Sequence, residues 1–289
     1  MQRMRVAMLK QQSAMEYLMT YGWAILIIAV VLGALFQLGV FNASSFSPRA
    51  PPGSCQVFRP SGPGTVTNIN LMGVCTGQLP QYVASFATAD SYVQIPTLKN
   101  MPSAAITITA WVYVLGGSNY YEIMSSMTGP YTGAFDFATN YNDFQVGNGV
   151  ASGHAGFSSL TNSQWTFVAG TFDGANIIGY KNGAAGGAPV AFAGPISYAN
   201  SYCGTLRIGK RCDATANYFS GLMSNVQIYN ASLTANQIQA LYLEGIGGAP
   251  MKLQNLVGWW PLNGNSNDYS GNNNNGVPTS VTFTSQYGK

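Results

Sequence analysis

Asn162-Ser163-Gln164-Trp165-Thr166-Phe167-Val168-Ala169-Gly170-Thr171-Phe172-Asp173-Gly174 is the stretch that decides how this chain folds. From Trp165 to Phe172 it is an apolar and β-branched run without the three-and-four spacing of an amphipathic helix. Asp173-Gly174 closes it as a hairpin turn, and Asn182-Gly183 marks the next turn after the returning strand around Ile177 to Tyr180. The pattern continues outward in both directions. Tyr82–Phe86, Ser91–Ile95, Ile106–Val114 and Val226–Tyr229 alternate or run β-branched, and Asn148-Gly149 is a further turn signal. Many strands with Gly-rich turns predict an antiparallel sandwich over residues 65–289. One helix is readable, Ser232 to Tyr242. Ser232 or Thr234 can cap it, and Leu233, Ile238 and Leu241 share a face.

Composition narrows the function. Charged residues make up 7% of the 289, against about 25% in ordinary domains. The twelve Lys and Arg are too thinly spread for a nucleic-acid surface. A hydrophobic share of 47% excludes a charged disordered chain. The 24 Asn, four of them followed by Gly, argue against a hyperthermophile cytosolic enzyme. The formal +3 has one address: Arg3, Arg5 and Lys10 stand in residues 1–11 without an acid. Tyr17 to Phe41 then carries no charge over 25 residues, and a helix of that length rises about 37 Å, enough for a hydrocarbon core of about 30 Å. Tyr17, Tyr21 and Trp23 sit where an interfacial belt would, and the positive flank places the N-terminus in the cytoplasm and the rest outside.

Residues 46–64, with Pro48, Pro51, Pro52, Pro60 and Pro63, read as a semi-rigid linker. Asn42-Ala43-Ser44 and Asn230-Ala231-Ser232 are N-glycosylation sequons. Four cysteines outside the membrane favour disulfides. Three pairings are open, and sequence proximity favours Cys55–Cys75 and Cys203–Cys212. Free thiols in a reducing compartment are the other reading. Zinc has little support, with no C-x-x-C and the single histidine His154.

Gln12-Ser13-Ala14-Met15-Glu16-Tyr17-Leu18-Met19-Thr20-Tyr21-Gly22-Trp23, continuing into the apolar run, resembles the class III signal peptide of archaeal type IV pilin-like proteins. The resemblance implies that a prepilin peptidase cuts between Gln11 and Gln12, removing a leader of residues 1–11. Family precursors usually have Gly before the cut, where this chain has Gln11. The helix of residues 12–45 would then pack with copies of itself into a filament core. Glu16, fifth in the mature chain, would pair with an α-amino group and fix the helix register. The residues alone also allow an uncleaved membrane anchor with Glu16 among the headgroups.

The S-Y-V-Q-I-P, I-T-I-T-A-W-V, W-T-F-V-A-G-T-F-D-G, Y-K-N-G, L-R-I-G and F-S-G-L-M-S-N-V-Q-I-Y segments, in that order, resemble the laminin-G-like, concanavalin-A-like lectin/glucanase sandwich over about residues 80–245. The resemblance implies a jelly roll. Leu256-Val257-Gly258-Trp259-Trp260-Pro261-Leu262 and the Asn-rich stretch after it look like the family's first strand and loop, displaced to the C-terminus. A circularly permuted sandwich is expected, with this segment completing the sheet and Trp259 or Trp260 buried. The E-x-D-x-E motif of the resembling glucanases is missing: Glu122 and Glu244 read as isolated, and Asp136 and Asp143 face each other only across a turn. His154 falls in a Gly-Ser loop and reads as a surface residue. A non-enzymatic protein is expected. Lectin-like members imply a structural calcium, for which Asp90 and Asp268 are the candidates, and glycan stacking, for which Tyr120, Tyr121, Tyr131 and Tyr141 are the candidates. The combined expectation is a surface filament subunit whose lectin-like head mediates adhesion. The alternative is a membrane-anchored extracellular lectin-like protein that does not polymerise.

Overall fold

The structure, a computed structural model, describes residues 21–34, 80–116, 122–128, 132–139, 143–199, 202–211 and 217–287, with the backbone of 55–58 and 66–69. The chain divides into two units, Met1–Pro51 with Leu71–Val74, and Pro52–Asn70 with Cys75–Lys289. In the first, residues 21–34 form a helix, α1, whose side chains are exposed. The ends of the expected helix over 12–45 lie outside the described residues, as do Gln11, Gln12, Glu16 and Asn42. Among the described residues no helix is long and apolar enough to cross a membrane.

The second unit holds the strands β1 (Cys55–Phe58), β2 (Val66–Ile69), β3 (Val83–Phe86), β4 (Tyr92–Ile95), β5 (Ile106–Val114), β6 (Glu122–Met127), β7 (Phe135–Ala138), β8 (Asp143–Gly147) and β9 (Ser152–Gly156). They are followed by β10 (Trp165–Phe172), β11 (Asn176–Lys181), β12 (Ala184–Ala185), β13 (Val190–Ala191), β14 (Tyr202–Ile208) and β15 (Gly221–Tyr229). After helix α2 (Ala235–Glu244) come β16 (Leu256–Trp260), β17 (Val277–Thr279) and β18 (Val281–Thr284). β1 and β2 pair as an antiparallel hairpin, so part of the span read as a Pro-rich linker is strand.

The remaining strands make two antiparallel sheets. One runs β12-β11-β10-β5-β15-β3-β18, with β13 on β11 and β16 on β15; the other runs β17-β4-β14-β6-β7-β8-β9. The period-two pattern of β5 and β10 explains the larger sheet, because both of its faces are apolar. Ile106, Ile108, Ala110, Val112, Val168 and Phe172 face the second sheet and form the main core with Phe135, Phe137, Phe144, Val146, Leu206 and Ile208. Trp111, Tyr113, Trp165 and Phe167 face the other way and join Ile238 and Leu241 of α2 in a second cluster. Tyr242 stacks on Trp111 with ring centroids 5.9 Å apart. A helix lid is therefore needed on this face, since four aromatic side chains would otherwise meet water. The lid begins at a capping box: the Gln237 backbone N–H donates to Thr234 Oγ1 and the Thr234 N–H donates to Gln237 Oε1.

The two sheets approach closely at Gly170, where a Cβ would stand 2.2 Å from Phe144 Cγ. At the Asn182-Gly183 turn both residues have positive φ, 50° and 80°, as a two-residue hairpin requires.

The C-terminal segment enters both sheets. β16 pairs with β15 over Val226–Tyr229, β18 pairs with β3, and β17 pairs with β4. Trp260 is fully buried in the main core and its Nε1–H donates to the Asn274 carbonyl at 2.9 Å. Trp259, by contrast, remains half-buried.

Candidate functional site

With α2 covering the outer face of the nine-stranded sheet, the outer face of the seven-stranded one is the polar face: it is exposed at His154, partly exposed at Gln94, Arg207 and Gln145, and buried at Ser125 and Asp136. Strand register builds a polar row across it. Gln94 of β4 stands opposite Arg207 of β14, Arg207 opposite Ser125 of β6, Ser125 opposite Asp136 of β7, Asp136 opposite Gln145 of β8, and Gln145 opposite His154 of β9. Residues directly opposite share a face, and their chain neighbours Val93, Leu206, Phe135, Phe137, Phe144 and Val146 fill the core behind. Six strands at about 4.8 Å spacing make the row about 24 Å long.

One row further along the strands, Glu122 stands opposite Ala138, and Ala138 opposite Asp143. Glu122 is 2% exposed and Asp136 9%. Burial pushes the Glu122 carboxyl well above its ordinary range, and the neighbouring Asp136 adds to the shift while Arg211 opposes it. Burial and Asp136 together raise Asp143 to about 6, against the pull of His154. His154 Nδ1 lies 3.2 Å from Asp143 Oδ2. Glu122 Oε1 and Asp136 Oδ1 meet no hydrogen-bond donor among the described residues; a proton held between the two carboxyls would supply one. At the other end the Arg207 guanidinium lies 4.7 Å above the Tyr92 ring.

Several expectations change. Glu122 is not isolated: it belongs to one cluster with Asp136 and Asp143. His154 is exposed as expected but lies on a strand, in register with the polar row, rather than in a loop. No sequence spacing could have shown this, because three hairpins bring these residues together. The signal that was present is the alternation Phe135-Asp136-Phe137 and Asp143-Phe144-Gln145-Val146, which puts acids and an amide on one face.

Asp90 pairs with Lys210, Nζ to Oδ1 at 2.9 Å, with the Asp90 side chain 80% exposed. Asp268 organises the Asn-rich loop. Its Oδ1 accepts from the backbone N–H of Trp259 and of Ser270, both at 2.9 Å, and its Oδ2 accepts from Ser270 Oγ and the Asn274 N–H, both at 2.8 Å. A cation at Asp268 would have to displace these donors. Among the described residues no group of three or more His, Cys, Asp or Glu stands close enough to hold a metal ion. Tyr120, Tyr121, Tyr131 and Tyr141 lie outside the described residues. Cys203 is disulfide-bonded; Cys75, Cys212 and the side chain of Cys55 lie outside the described residues, and so do both pairings. Asn230 is exposed in the turn between β15 and α2, where its Oδ1 accepts from Asn255 Nδ2 at 3.1 Å.

A two-sheet antiparallel sandwich with one lidded face and one polar face defines a lectin-type domain. The chain belongs to the concanavalin A-like lectin/glucanase superfamily: residues 87–239 match its laminin-G model. Among solved structures it is similar to a Bacteroides ovatus protein described as a candidate carbohydrate-binding protein, at 17% identity and a TM-score of 0.54, over 76% of this chain and 66% of that one. It thus spans just under two thirds of that relative. It is also similar to the heptameric SAP-like pentraxin of Limulus polyphemus, at 16% identity and a TM-score of 0.50, over 71% of this chain and 94% of the pentraxin. At these identities the likeness is one of fold. No curated protein sequence matches the chain.

Proposed function

We propose that this chain is a surface-displayed carbohydrate-binding protein whose sandwich grips an extended glycan along the polar row of the seven-stranded sheet. The row itself carries the reading. On the outer face of the seven-stranded sheet, side chains with hydrogen-bonding amide, guanidinium and imidazole groups stay at least partly exposed on β4, β14, β8 and β9, to either side of the buried Ser125 and Asp136. Such groups satisfy sugar hydroxyls from several directions, and the length suits a chain of several sugar units rather than one. Binding without hydrolysis is the better fit. A glycosidase needs two carboxyls that both reach the scissile bond, and Glu122, the strongest candidate acid, is only 2% exposed. A glycan array with the full chain tests the reading. Binding that falls about tenfold in Gln145→Ala and in His154→Ala, with no release of reducing sugar, supports it; binding unmoved by both substitutions sinks it.

The N-terminal residues support display on a filament. The positive leader, Gln12, Glu16 and the uncharged run are what the pilin-like resemblance rests on, and they give this reading its observation. Sequencing the N-terminus of the native protein decides between the two forms of display. A chain starting at Gln12, together with filaments under the electron microscope, supports assembly. A chain starting at Met1 supports a membrane-anchored protein that does not polymerise.

A further inference from the structure

Away from the polar row, the larger sheet splits. Along one edge β15 pairs with β3 over Gly221–Met223 and then with β16 over Val226–Tyr229, and its pairing with β5 shifts register between Ser224 and Gln227. Asn225 sits in that gap with φ of 51°, and Leu262, next to Asn263, has φ of 56°. Two non-glycine residues in the left-handed region beside one opening mark a backbone held in place by its surroundings. The opening is a cleft of about 340 Å³, lined by Asn225, Gly247, Trp259, Asn263 and Tyr269 among others.

Asn225 builds the cleft. Its Nδ2 donates to the Gly248 carbonyl at 2.9 Å, and its Oδ1 accepts from Trp259 Nε1 at 2.8 Å and from Gln227 Nε2 at 2.9 Å. One buried carboxamide thus ties the loop after α2 to the indole on β16. With its N–H already satisfied inside the protein, the half-buried indole offers its ring surface to a ligand. Tyr269 meets it edge-on at 6.2 Å and is 54% exposed. Asn263, exposed on the rim, accepts the Tyr82 N–H with its oxygen and keeps its NH₂ group for a ligand.

We infer that this cleft is a second, separate sugar site that takes a single pyranose or a disaccharide end. The volume lies at the low end of the range for small-molecule sites, about 300–1,000 Å³. The chemistry is amphipathic in the way a sugar ring is: two aromatic rings for its C–H faces, and a carboxamide and backbone groups of the Gly247–Gly248 loop for its hydroxyls. It differs from the row on the other sheet, which is long, polar and without an aromatic pair.

The full chain is titrated with glucose, galactose, mannose, N-acetylglucosamine and their disaccharides, followed by tryptophan emission and ligand-observed saturation-transfer NMR. A saturable response to at least one sugar is expected. Tyr269→Ala should weaken it about tenfold or more, Tyr269→Phe should keep it within about twofold because the ring remains, and the melting temperature of both variants should match the wild type. The part of the response that Tyr269→Ala removes should persist in Gln145→Ala, which separates this site from the polar row. No saturable response to any of these sugars, or a response that survives Tyr269→Ala, overturns the inference. A response lost only in Gln145→Ala also overturns it, by assigning the sugar to the row.

Discussion

Asp268 holds Trp259 in place: its Oδ1 accepts the Trp259 backbone N–H at 2.9 Å, nine residues back along the chain. The bond is part of a larger device. β16 pairs with β15 on one side only, and the Asn-rich loop folds over its other side. Asn272 Nδ2 donates to the Leu256 carbonyl at 2.8 Å, Asn274 Nδ2 to the Val257 carbonyl at 2.8 Å, and the Tyr269 N–H to the Trp259 carbonyl at 2.8 Å. Side-chain amides thereby close a strand edge that would otherwise be open to another chain. Asn274 also reaches across to accept the Lys99 N–H at 2.8 Å. The high Asn content of this segment therefore has a structural cause.

Asp268→Ala removes an acceptor from three backbone N–H groups and a hydroxyl. It should cost about 2–3 kcal/mol, a fall in melting temperature on the order of 5–10 °C for a domain of this size. Differential scanning calorimetry with and without chelator reads this directly. A calcium-dependent rise in melting temperature that disappears in Asp268→Asn would instead assign an ion to the loop.

The C-terminal strands should be indispensable. Trp260 fills the main core and β16 covers half of one side of β15. Trp260→Ala should cost about 3–5 kcal/mol, and a chain ending before Gln254 should lose its cooperative thermal transition. A truncated chain that still melts cooperatively near the wild-type temperature would mean that this segment is an appendage.

Local pattern made most of the sandwich legible. β5 and β10 follow the residues expected from alternation, α2 is capped by Thr234, one of the two candidates, and the displaced Leu256–Trp260 strand lies within the sheet. The polar row was not legible, because register across β14, β6, β7, β8 and β9 depends on which strands become neighbours, and β14 reaches β6 only after a long excursion. The cleft was hidden for a related reason. It depends on Asn225 adopting a left-handed conformation inside β15, just before the Val226–Tyr229 stretch that reads as a strand. Trp259 and Trp260 are adjacent in sequence and alternate in facing, so one is core and the other lines an opening.

Gly170 should tolerate no side chain. A Cβ there would meet the Phe144 ring from the opposite sheet at 2.2 Å, and neither sheet can retreat without opening the main core. Gly170→Ala should cost about 1–3 kcal/mol by overpacking. Adding Phe144→Leu should restore part of that loss, and a double-mutant cycle by urea denaturation measures it. Additive losses would show that the two positions do not press on each other.

Stability should fall as pH rises from about 4 to above 6, through the acids beside the polar row. Asp143 is raised from its ordinary 3.8 to about 6, chiefly by burial and then by Asp136, and Glu122 is raised in the same direction. The folded chain therefore binds these protons more tightly than the unfolded chain. Below the unfolded value both states are protonated and there is no penalty. Between the two values the unfolded chain loses the proton first, so unfolding becomes easier, and above the folded value the whole penalty is present. For Asp143 alone the shift corresponds to about 3 kcal/mol at most. Asp173 works the other way: burial raises its value, but hydrogen bonds from the backbone N–H groups of Ala175 and Asn176 and from the Asn176 side chain together outweigh burial and lower it, so the raw pH profile mixes signs. The difference between wild type and Asp143→Asn isolates the contribution of Asp143. The asparagine variant should gain stability relative to wild type as pH passes from 4 to 7, with His154 and Arg211 still facing the cluster. Urea denaturation at intervals across that range measures it, and a difference that stays flat with pH would show that Asp143 ionises in the folded protein as it does in water.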